Sequence, residues 1–417
     1  MQQFELIAPC HFGMESVMKN EIYDIGYEIT EVDDGRVTFA GDAEAIARAN
    51  INLRCAERVL LKVGSFHAES FEDLFQGTKA LPWEQYLPRD AKFWVTKAAS
   101  VKSKVFSPSD IQSVMKKAMV DRMTEQYHIS HFPEDGVSYP VRVFIKKDEV
   151  TVALDTTGES LHKRGYRKAS VKAPIAENLA AGLIMLTPWK PGRILVDPFC
   201  GSGTFLIEAA MMSAHMAPGL RRHFTAEGWT NLIPGAVWQD ARTEAEEEID
   251  LSVETDLQGY DIDPAAIAAA RENARLAGVD KLIHFQVRPV SSLSHPKKFG
   301  FLITNPPYGQ RLKDATRGGE KYPVGKHPHA YESEFDEELT EEDRAISKEE
   351  LSGIYRTLGE RFQMLDSWSM YVITAYEDAE KDLGMKAAKN RKLYNGMIKT
   401  YFYMFPGPKP TAHPRKN

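Results

Sequence analysis

Three cysteines, Cys10, Cys55 and Cys200, are too few and too far apart for a disulfide framework or a zinc pattern. A reducing cytoplasm is the expected compartment. Long apolar runs are also missing, and no stretch has the length needed to cross a bilayer. The start, Met1 to Cys10, lacks the basic end and apolar core of a signal peptide. The twelve histidines show no metal-ligand spacing, so no metal is expected. Positive charge is short overall: the net charge is −7. That argues against bulk electrostatic binding to nucleic acid and leaves room for a local basic surface. At 417 residues, two or three domains are expected.

What is present falls into segments. Residues 1–60 read as a small α/β unit. It has a strand at Phe4, a helix from Met14 to Ile22, a hairpin across Asp33-Asp34-Gly35 and a helix from Asp42 to Asn52. Residues 61–157 read as a second unit. Ser109-Asp110 is the expected cap of a helix from Ile111 to Tyr127, and a hairpin crosses Lys146-Lys147-Asp148. From Arg89 to Arg122 eight basic side chains face three acidic ones. A solvated helix face would explain that charge. The run from Lys97 to Lys104, which includes Lys102, has no periodicity and reads instead as a basic loop suited to phosphates, with Lys116 on the following helix. Residues 158–172 form a basic linker holding Arg164, Tyr166 and Arg167. It is either a polar surface connection or a basic bridge between substrate-contacting domains.

From 173 to 417, long helices alternate with apolar strands, the pattern of a parallel α/β sheet. The first helix is expected to open at Pro174. Residues 213–256 look irregular. Residues 310–350 form a long polar insert, with ten acidic and two basic residues between Tyr331 and Glu350, and read as a mobile segment or lid. The tail from Pro406 reads as disordered.

Two strand ends carry the chemistry. Ile194 to Val196 runs into Asp197, then into a turn with Gly201 and Gly203, then into a helix from Phe205. Such a turn lets backbone approach a small ligand at the carboxyl end of a strand. It is not a dinucleotide fingerprint: Leu206 stands where the third glycine should be, and the next strand-end acid, Asp261, lies 58 residues past Gly203. No Gly-Lys-Ser/Thr follows, so it is not a phosphate loop either. Two strand-end acids, Asp197 and Asp261, suit a ligand with a cationic amine and a ribose. The second strand end is Phe301 to Gly309, an apolar strand leading into Asn305-Pro306-Pro307-Tyr308.

Asp197 to Thr204 together with Asn305 to Tyr308 resembles the paired signature of class I S-adenosylmethionine-dependent amino-methyltransferases. Lys163 to Arg167, Ala173 to Glu177 and Leu393 to Gly396 extend the likeness, behind the two small α/β units. Over nearly its whole length the chain resembles the bacterial THUMP-domain methyltransferases that make N2-methylguanine in 23S ribosomal RNA. The resemblance implies a ferredoxin-like unit, a THUMP RNA-binding domain and a Rossmann-like class I domain with a mostly parallel seven-stranded sheet. It implies S-adenosylmethionine as cofactor, held by Asp197, Phe199, Cys200, Gly201, Gly203, Thr204, Asp261, Ile262 and Asn305. It also implies large-subunit ribosomal RNA as partner, contacted through Lys97, Lys102, Lys104, Lys116, Arg164, Tyr166 and Arg167. A monomer or weak dimer with no membrane attachment is expected.

In the reaction implied, an exocyclic amine attacks a sulfonium methyl in line. The Asn305 side-chain oxygen and the Pro306 carbonyl would accept the two amine hydrogens, which orients the nitrogen and favours the charge developing on it. Tyr308 would stack on an extruded base. The amine becomes acidic only as the methyl arrives, so no strong base is required. Cys200 is expected to pack, not to react, and Asp263 to cap the helix that Pro264 opens. Where relatives commonly carry an acid for the adenine amine, this chain has Pro289, followed by Ser291 and Ser292, so backbone or a serine would serve there. Two other readings stay open: an adenine-N6 methyltransferase of RNA or DNA, and a non-catalytic RNA-binding or ribosome-assembly protein on the same fold.

Overall fold

A computed structural model of the chain describes residues 2–129, 132–168, 174–308, 346–396 and 398–409. Its described residues form two units: 2–161 with 218–247, and 162–217 with 248 onward. The expected insert, up to residue 345, and the tail from residue 410 lie outside the described residues.

The first unit is built on one seven-stranded sheet in the order β2-β3-β1-β4-β7-β6-β5. Its strands are β1 Phe4–Pro9, β2 Ile29–Asp33, β3 Arg36–Gly41, β4 Leu60–His67, β5 Lys92–Val101, β6 Ser138–Lys146 and β7 Glu149–Asp155. All neighbours are antiparallel except β5 and β6. Both expected hairpins form, because their turns hold residues that tolerate positive φ: Gly35 at 71°, and Lys147 and Asp148 at 55° and 66°. The segments 1–60 and 61–157 share this sheet through β1 and β4, where Leu6 pairs with Leu61.

Helix α1 spans Glu15–Asp24, and α2 spans Ala43–Asn52, capped by the Asp42 carboxylate accepting from Glu44 and Ala45 N–H. Helix α3 is Phe71–Ala80, with a Ser70–Asp73 capping box. Helix α4 is Pro108–Tyr127. It begins earlier than expected: Ser107 is the cap residue and Pro108 takes the first turn, so Ser109 and Asp110 are already helical.

Residues 218–247 leave the expected continuous span 173–417 and fold with the first unit. Trp229 is fully buried there. It stacks on Tyr139 at 4.8 Å, and its indole N–H donates to the Ser138 carbonyl at 2.8 Å. Trp238 stacks on Phe224, and α7, Gly235–Glu247, carries Glu244, which pairs with Arg48 of α2 at 2.8 Å.

The second unit holds the other seven-stranded sheet, ordered β10-β9-β8-β11-β12-β14-β13. These are β8 Leu195–Asp197, β9 Leu257–Asp261, β10 Ile283–Val287, β11 Phe301–Thr304, β12 Ser369–Thr374, β13 Lys389–Asn395 and β14 Ile398–Phe405. The strands from β10 to β12 are mutually parallel, and β14 is antiparallel to both of its neighbours. Helix α5, Glu177–Met185, starts three residues after the expected Pro174. Helices α6, Thr204–Ser213, and α8, Pro264–Ala277, follow β8 and β9. Helix α9, Lys348–Gln363, precedes β12 and buries Leu351, Tyr355 and Leu358 among Val196, Leu302 and Trp368. The chain order reverses between β8 and β11, the crevice where open α/β sheets take ligands. Among the described residues no helix is long and apolar enough to cross a membrane.

Trp229→Ala should lower the unfolding free energy of the first unit by about 3–5 kcal/mol, since it opens a cavity the size of an indole and orphans the Ser138 carbonyl. Urea unfolding followed by tyrosine and tryptophan fluorescence checks this. A loss under about 1 kcal/mol would mean that the excursion does not carry this packing.

Candidate active site

The donor half is the turn after β8. Asp197 is 2% exposed. One of its oxygens accepts from the Thr304 hydroxyl at 2.5 Å and from the Phe199 N–H at 3.1 Å. Burial, with a smaller contribution from the Asp261 charge, pushes its carboxyl up to about 7. The loop closes through Cys200 N–H to the Tyr260 carbonyl and Gly203 N–H to the Cys200 carbonyl. Gly203 sits at φ 86°, and a Cβ there would lie 3.0 Å from the Phe285 ring and 3.1 Å from Ala270. Only glycine satisfies both the backbone and the space.

Asp261, at the end of β9, braces this loop. One oxygen accepts from Gly201 N–H and the other from Asp263 N–H, each at 3.0 Å. A carboxylate oxygen has a second lone pair, so both can still accept from ribose hydroxyls. Asp263 caps α8 through Ala265 N–H, as expected. Two apolar side chains stand exposed at adjacent strand ends: Ile262 at 74% and Val287 at 47%. Val287 pairs directly with Asp261. Ile262 belongs to the expected set; Val287 does not, although its place at the end of the strand that follows Asp261's is the signal that could have found it. Phe199 packs partly buried against the core. Burial pushes the Cys200 thiol well up, with the Asp197 and Asp261 charges adding to it, so it stays a packed thiol.

The stretch after β10 reads differently from expectation. Arg288 folds back over the Tyr260 ring at 4.8 Å and donates to the hydroxyls of Ser292 and Ser294. The Ser292 hydroxyl in turn donates to the Pro289 carbonyl at 2.9 Å. Ser292 is thus committed within its own turn, while Ser291 stands exposed in the same short helix, Val290–Ser292.

The acceptor half follows β11, the immediate neighbour of β8, where Phe301 pairs with Leu195. Thr304, whose hydroxyl holds Asp197, is followed directly by Asn305. Pro306 is buried and Asn305 half-buried. The Tyr355 hydroxyl lies 3.3 Å from the Pro307 carbonyl and 2.5 Å from the Thr374 hydroxyl, pinning the Pro-Pro turn to α9 and β12. Tyr308 is not displayed as a stacking platform in this conformation. Its hydroxyl donates to the Asn305 side-chain oxygen, and the Asn395 side chain lies near enough to act on the same phenol. Burial raises its phenol well above the ordinary range. The oxygen expected to accept from a target amine therefore already holds a donor.

The linker residues need correcting. Arg164 and Tyr166 are 5% and 4% exposed, so they form no RNA-contacting surface. Arg164 pairs with the fully buried Glu208 of α6 at 3.5 Å, and the Tyr166 hydroxyl donates to the same carboxylate at 3.1 Å. Arg167 donates to the Thr204 hydroxyl at 2.8 Å and to the Ile175 carbonyl, and lies 3.4 Å from Glu177. These three side chains hold the start of α6 and of α5; Thr204 itself is buried.

Lys116 is likewise engaged: its ammonium lies over the Phe93 ring at 3.9 Å, donates to the Phe93 carbonyl at 2.6 Å and pairs with Glu134. Residues 97–101 belong to β5 rather than to a loop, and Lys97 is half-buried in that strand. Lys102 and Lys104 are exposed on the following turn, Lys104 paired with Glu69 at the surface. Phe106, 74% exposed, and Trp94, 38% exposed, stand on the same strand and turn; charge reading passed over both. Among the described residues no three His, Cys, Asp or Glu side chains could hold a metal ion.

Residues 5–60 match the family described as RlmL ferredoxin-like domain, 68–155 the THUMP domain, and 164–326 the RMKL-like methyltransferase domain. The Bacillus subtilis protein named "Putative RNA methyltransferase YpsC" is 40% identical over 97% of this chain and 96% of its own length. The chain belongs to the THUMP-domain RNA methyltransferases. A ribosomal RNA large subunit methyltransferase K/L from Syntrophotalea carbinolica is 33% identical over 93% of this chain, which spans 51% of that longer protein. Among solved structures, SMU.472 complexed with SAH is 38% identical, covers 99% of this chain in full and superposes with a TM-score of 0.84. A Listeria monocytogenes structure titled "a predicted N6-adenine-specific DNA methylase" is 41% identical over 98% of this chain and 97% of its own, with a TM-score of 0.84.

The methyl donor of this family is S-adenosylmethionine, and the residues present fit it. Among the described residues no cation pairs with the buried Asp197, which suits it to an ammonium group. Asp261 has lone pairs left for a ribose. Ile262 and Val287 give exposed apolar surface where an adenine would lie.

Asp197 should leave a pH signature. A carboxyl near 7 in the folded chain and near 3.9 unfolded binds more protons when folded. Its contribution to stability is therefore complete below about pH 4 and is lost as pH rises through about 7. Asp197→Asn removes that loss, so the melting temperature of the ligand-free variant should gain on the parent chain between pH 5 and pH 8. S-adenosylmethionine affinity should fall in the variant. Scanning calorimetry at several pH values checks the first effect and titration calorimetry the second.

Proposed function

We propose that this chain transfers a methyl group from S-adenosylmethionine to the exocyclic N2 amine of a guanine in large-subunit ribosomal RNA. One observation carries the reading: a side-chain amide, Asn305, sits at the end of β11 in the residue after Thr304, which is hydrogen-bonded to the acid of the donor loop. Donor and acceptor halves are thereby held on adjacent strands. The large-subunit methyltransferase K/L relative supports the RNA class.

Bound S-adenosylmethionine supplies an electrophilic sulfonium methyl. The chain's own task is to present a poor nucleophile. The amine nitrogen's lone pair is delocalised into the base, and the Asn305 oxygen and the Pro306 carbonyl accept its two hydrogens. Both bonds strengthen as positive charge builds on nitrogen. As the N–C bond forms, the S–C bond breaks and its electron pair stays on sulfur. The surplus proton then leaves a cationic nitrogen and needs no strong base. Tyr308 now donates to Asn305 in the place of that amine. Substrate entry exchanges the phenol for the amine and releases the ring to stack on the base. The exposed turn with Lys102, Lys104 and Phe106 on the first unit has the basic and aromatic groups that RNA contact requires. The chain acts as a monomer or weak dimer in the cytoplasm under this reading.

Asn-Pro-Pro-Tyr also suits an adenine N6 amine, and the 41% identical structure titled "a predicted N6-adenine-specific DNA methylase" is named for that rival. Mass mapping of ribosomal RNA from a deletion strain separates the two. Loss of one N2-methylguanine supports the proposal; loss of a methyladenine, or no change, overturns it. Asn305→Ala should reduce transfer at least about 100-fold with S-adenosylmethionine affinity within about threefold of the parent. A variant that keeps full activity removes Asn305 from the chemistry.

A further inference from the structure

The hairpin motif from Leu393 to Gly396 has no part in the scheme above, yet strand register brings it to the same edge. Thr304, the last residue of β11, pairs with Val372 of β12. Two residues further, Thr374 pairs with Tyr401 of β14. Traced backward from Tyr401, β14 continues past the end of β12 to Ile398, which pairs with Asn395. The turn of this hairpin therefore overhangs the carboxyl edge from which Asn305 to Tyr308 emerges. The Tyr308 side chain makes the link, since its hydroxyl donates to Asn305 and the Asn395 side chain lies near enough to act on the same phenol. Two side-chain amides converge on one phenol, and Asn395 is half-buried there.

We propose that Asn395 is a specificity-determining residue that reads the N1–H and O6 edge of the target guanine while Asn305 holds its 2-amine. This rests on the guanine reading above. The chemistry is complementary. A side-chain amide offers one acceptor and one donor group side by side, which matches the N1–H donor and O6 acceptor of guanine. Along that edge N2, N1–H and O6 follow in order, so a base whose amine has replaced the Tyr308 hydroxyl at Asn305 turns its next two groups toward Asn395. An adenine held by its N6 amine presents N1, an acceptor, and then C2–H. It can use only the donor half of the amide.

The probe is a short RNA carrying the mapped target guanine, compared with the same RNA bearing 2-aminopurine at that position. 2-Aminopurine keeps the 2-amine but lacks both N1–H and O6. The parent chain should favour guanine in kcat/KM by about 10- to 100-fold. Asn395→Ala should narrow that preference to under about threefold by losing rate on guanine, with S-adenosylmethionine affinity unchanged. Asn395→Asp, of the same shape but without a donor, should lose guanine rate as well, which answers a folding failure in the alanine variant. An Asn395→Ala enzyme that retains the parent's full preference overturns this inference and leaves the guanine reading standing. A product mapped to methyladenine overturns both.

Discussion

The hydroxyl of Thr304, 2.5 Å from the Asp197 carboxylate, is the bond on which the site depends. It is a buried contact between the last residues of two adjacent strands, so it sets the donor loop and the acceptor loop at a fixed separation. Its cost is that Asp197 is taken out of water with only neutral donors around it, which raises its carboxyl to about 7. An acid in that state gains most from a cation. The desolvation that weakens the ligand-free fold at neutral pH is the same term that a bound ammonium would relieve. Stability and cofactor affinity are linked through one carboxyl.

The support beneath this bond is electrostatic as well, and it lies where the sequence looked like a solvated linker. Arg164, Tyr166 and Arg167 alternate with glycine and lysine, a composition that reads as surface. What it conceals is the destination of the guanidinium groups. Glu208 lies on α6 and Glu177 on α5, ten or more residues away in each case, and both are nearly free of solvent. Charged residues in a short basic run carry no local sign that they will be paired at long range. Lys116 likewise finds its partners, Phe93 and Glu134, on other elements.

Short-range features were legible. Both hairpins of the first unit, the cap at Asp263, the Gly203 turn and the Asn305 turn depend on residues within a few positions of one another. That the second sheet has seven mostly parallel strands was legible only through resemblance, and their order was not legible, because spacing alone does not say which parallel strands are neighbours. The excursion at 218–247 was not legible. Its Trp229 and Trp238 are ordinary buried aromatics, and nothing in their spacing indicates that their partners, Tyr139 and Phe224, belong to the first unit. Reading the stretch as irregular missed helix α7, Gly235–Glu247, and was silent about where it packs.

The adenine end shows how a missing acid is compensated. Without a carboxylate at Pro289, the turn after β10 is held by Arg288, which spends its donors on Ser292 and Ser294 and its face on Tyr260. A guanidinium so engaged cannot project into the crevice, and the Ser292 hydroxyl is tied to the Pro289 carbonyl. Polar reading of the ring edge is thus left to backbone groups and Ser291. What the crevice offers instead is area: Ile262 and Val287 at adjacent strand ends are exposed, whereas Val196 and Ile303, next to the ends of β8 and β11, are buried. Apolar contact stabilises a flat heterocycle without distinguishing its exocyclic groups. With the donor bound as proposed, discrimination would fall to Asp261 and Asp197, at the ribose and the amine, and the adenine would supply affinity more than identity.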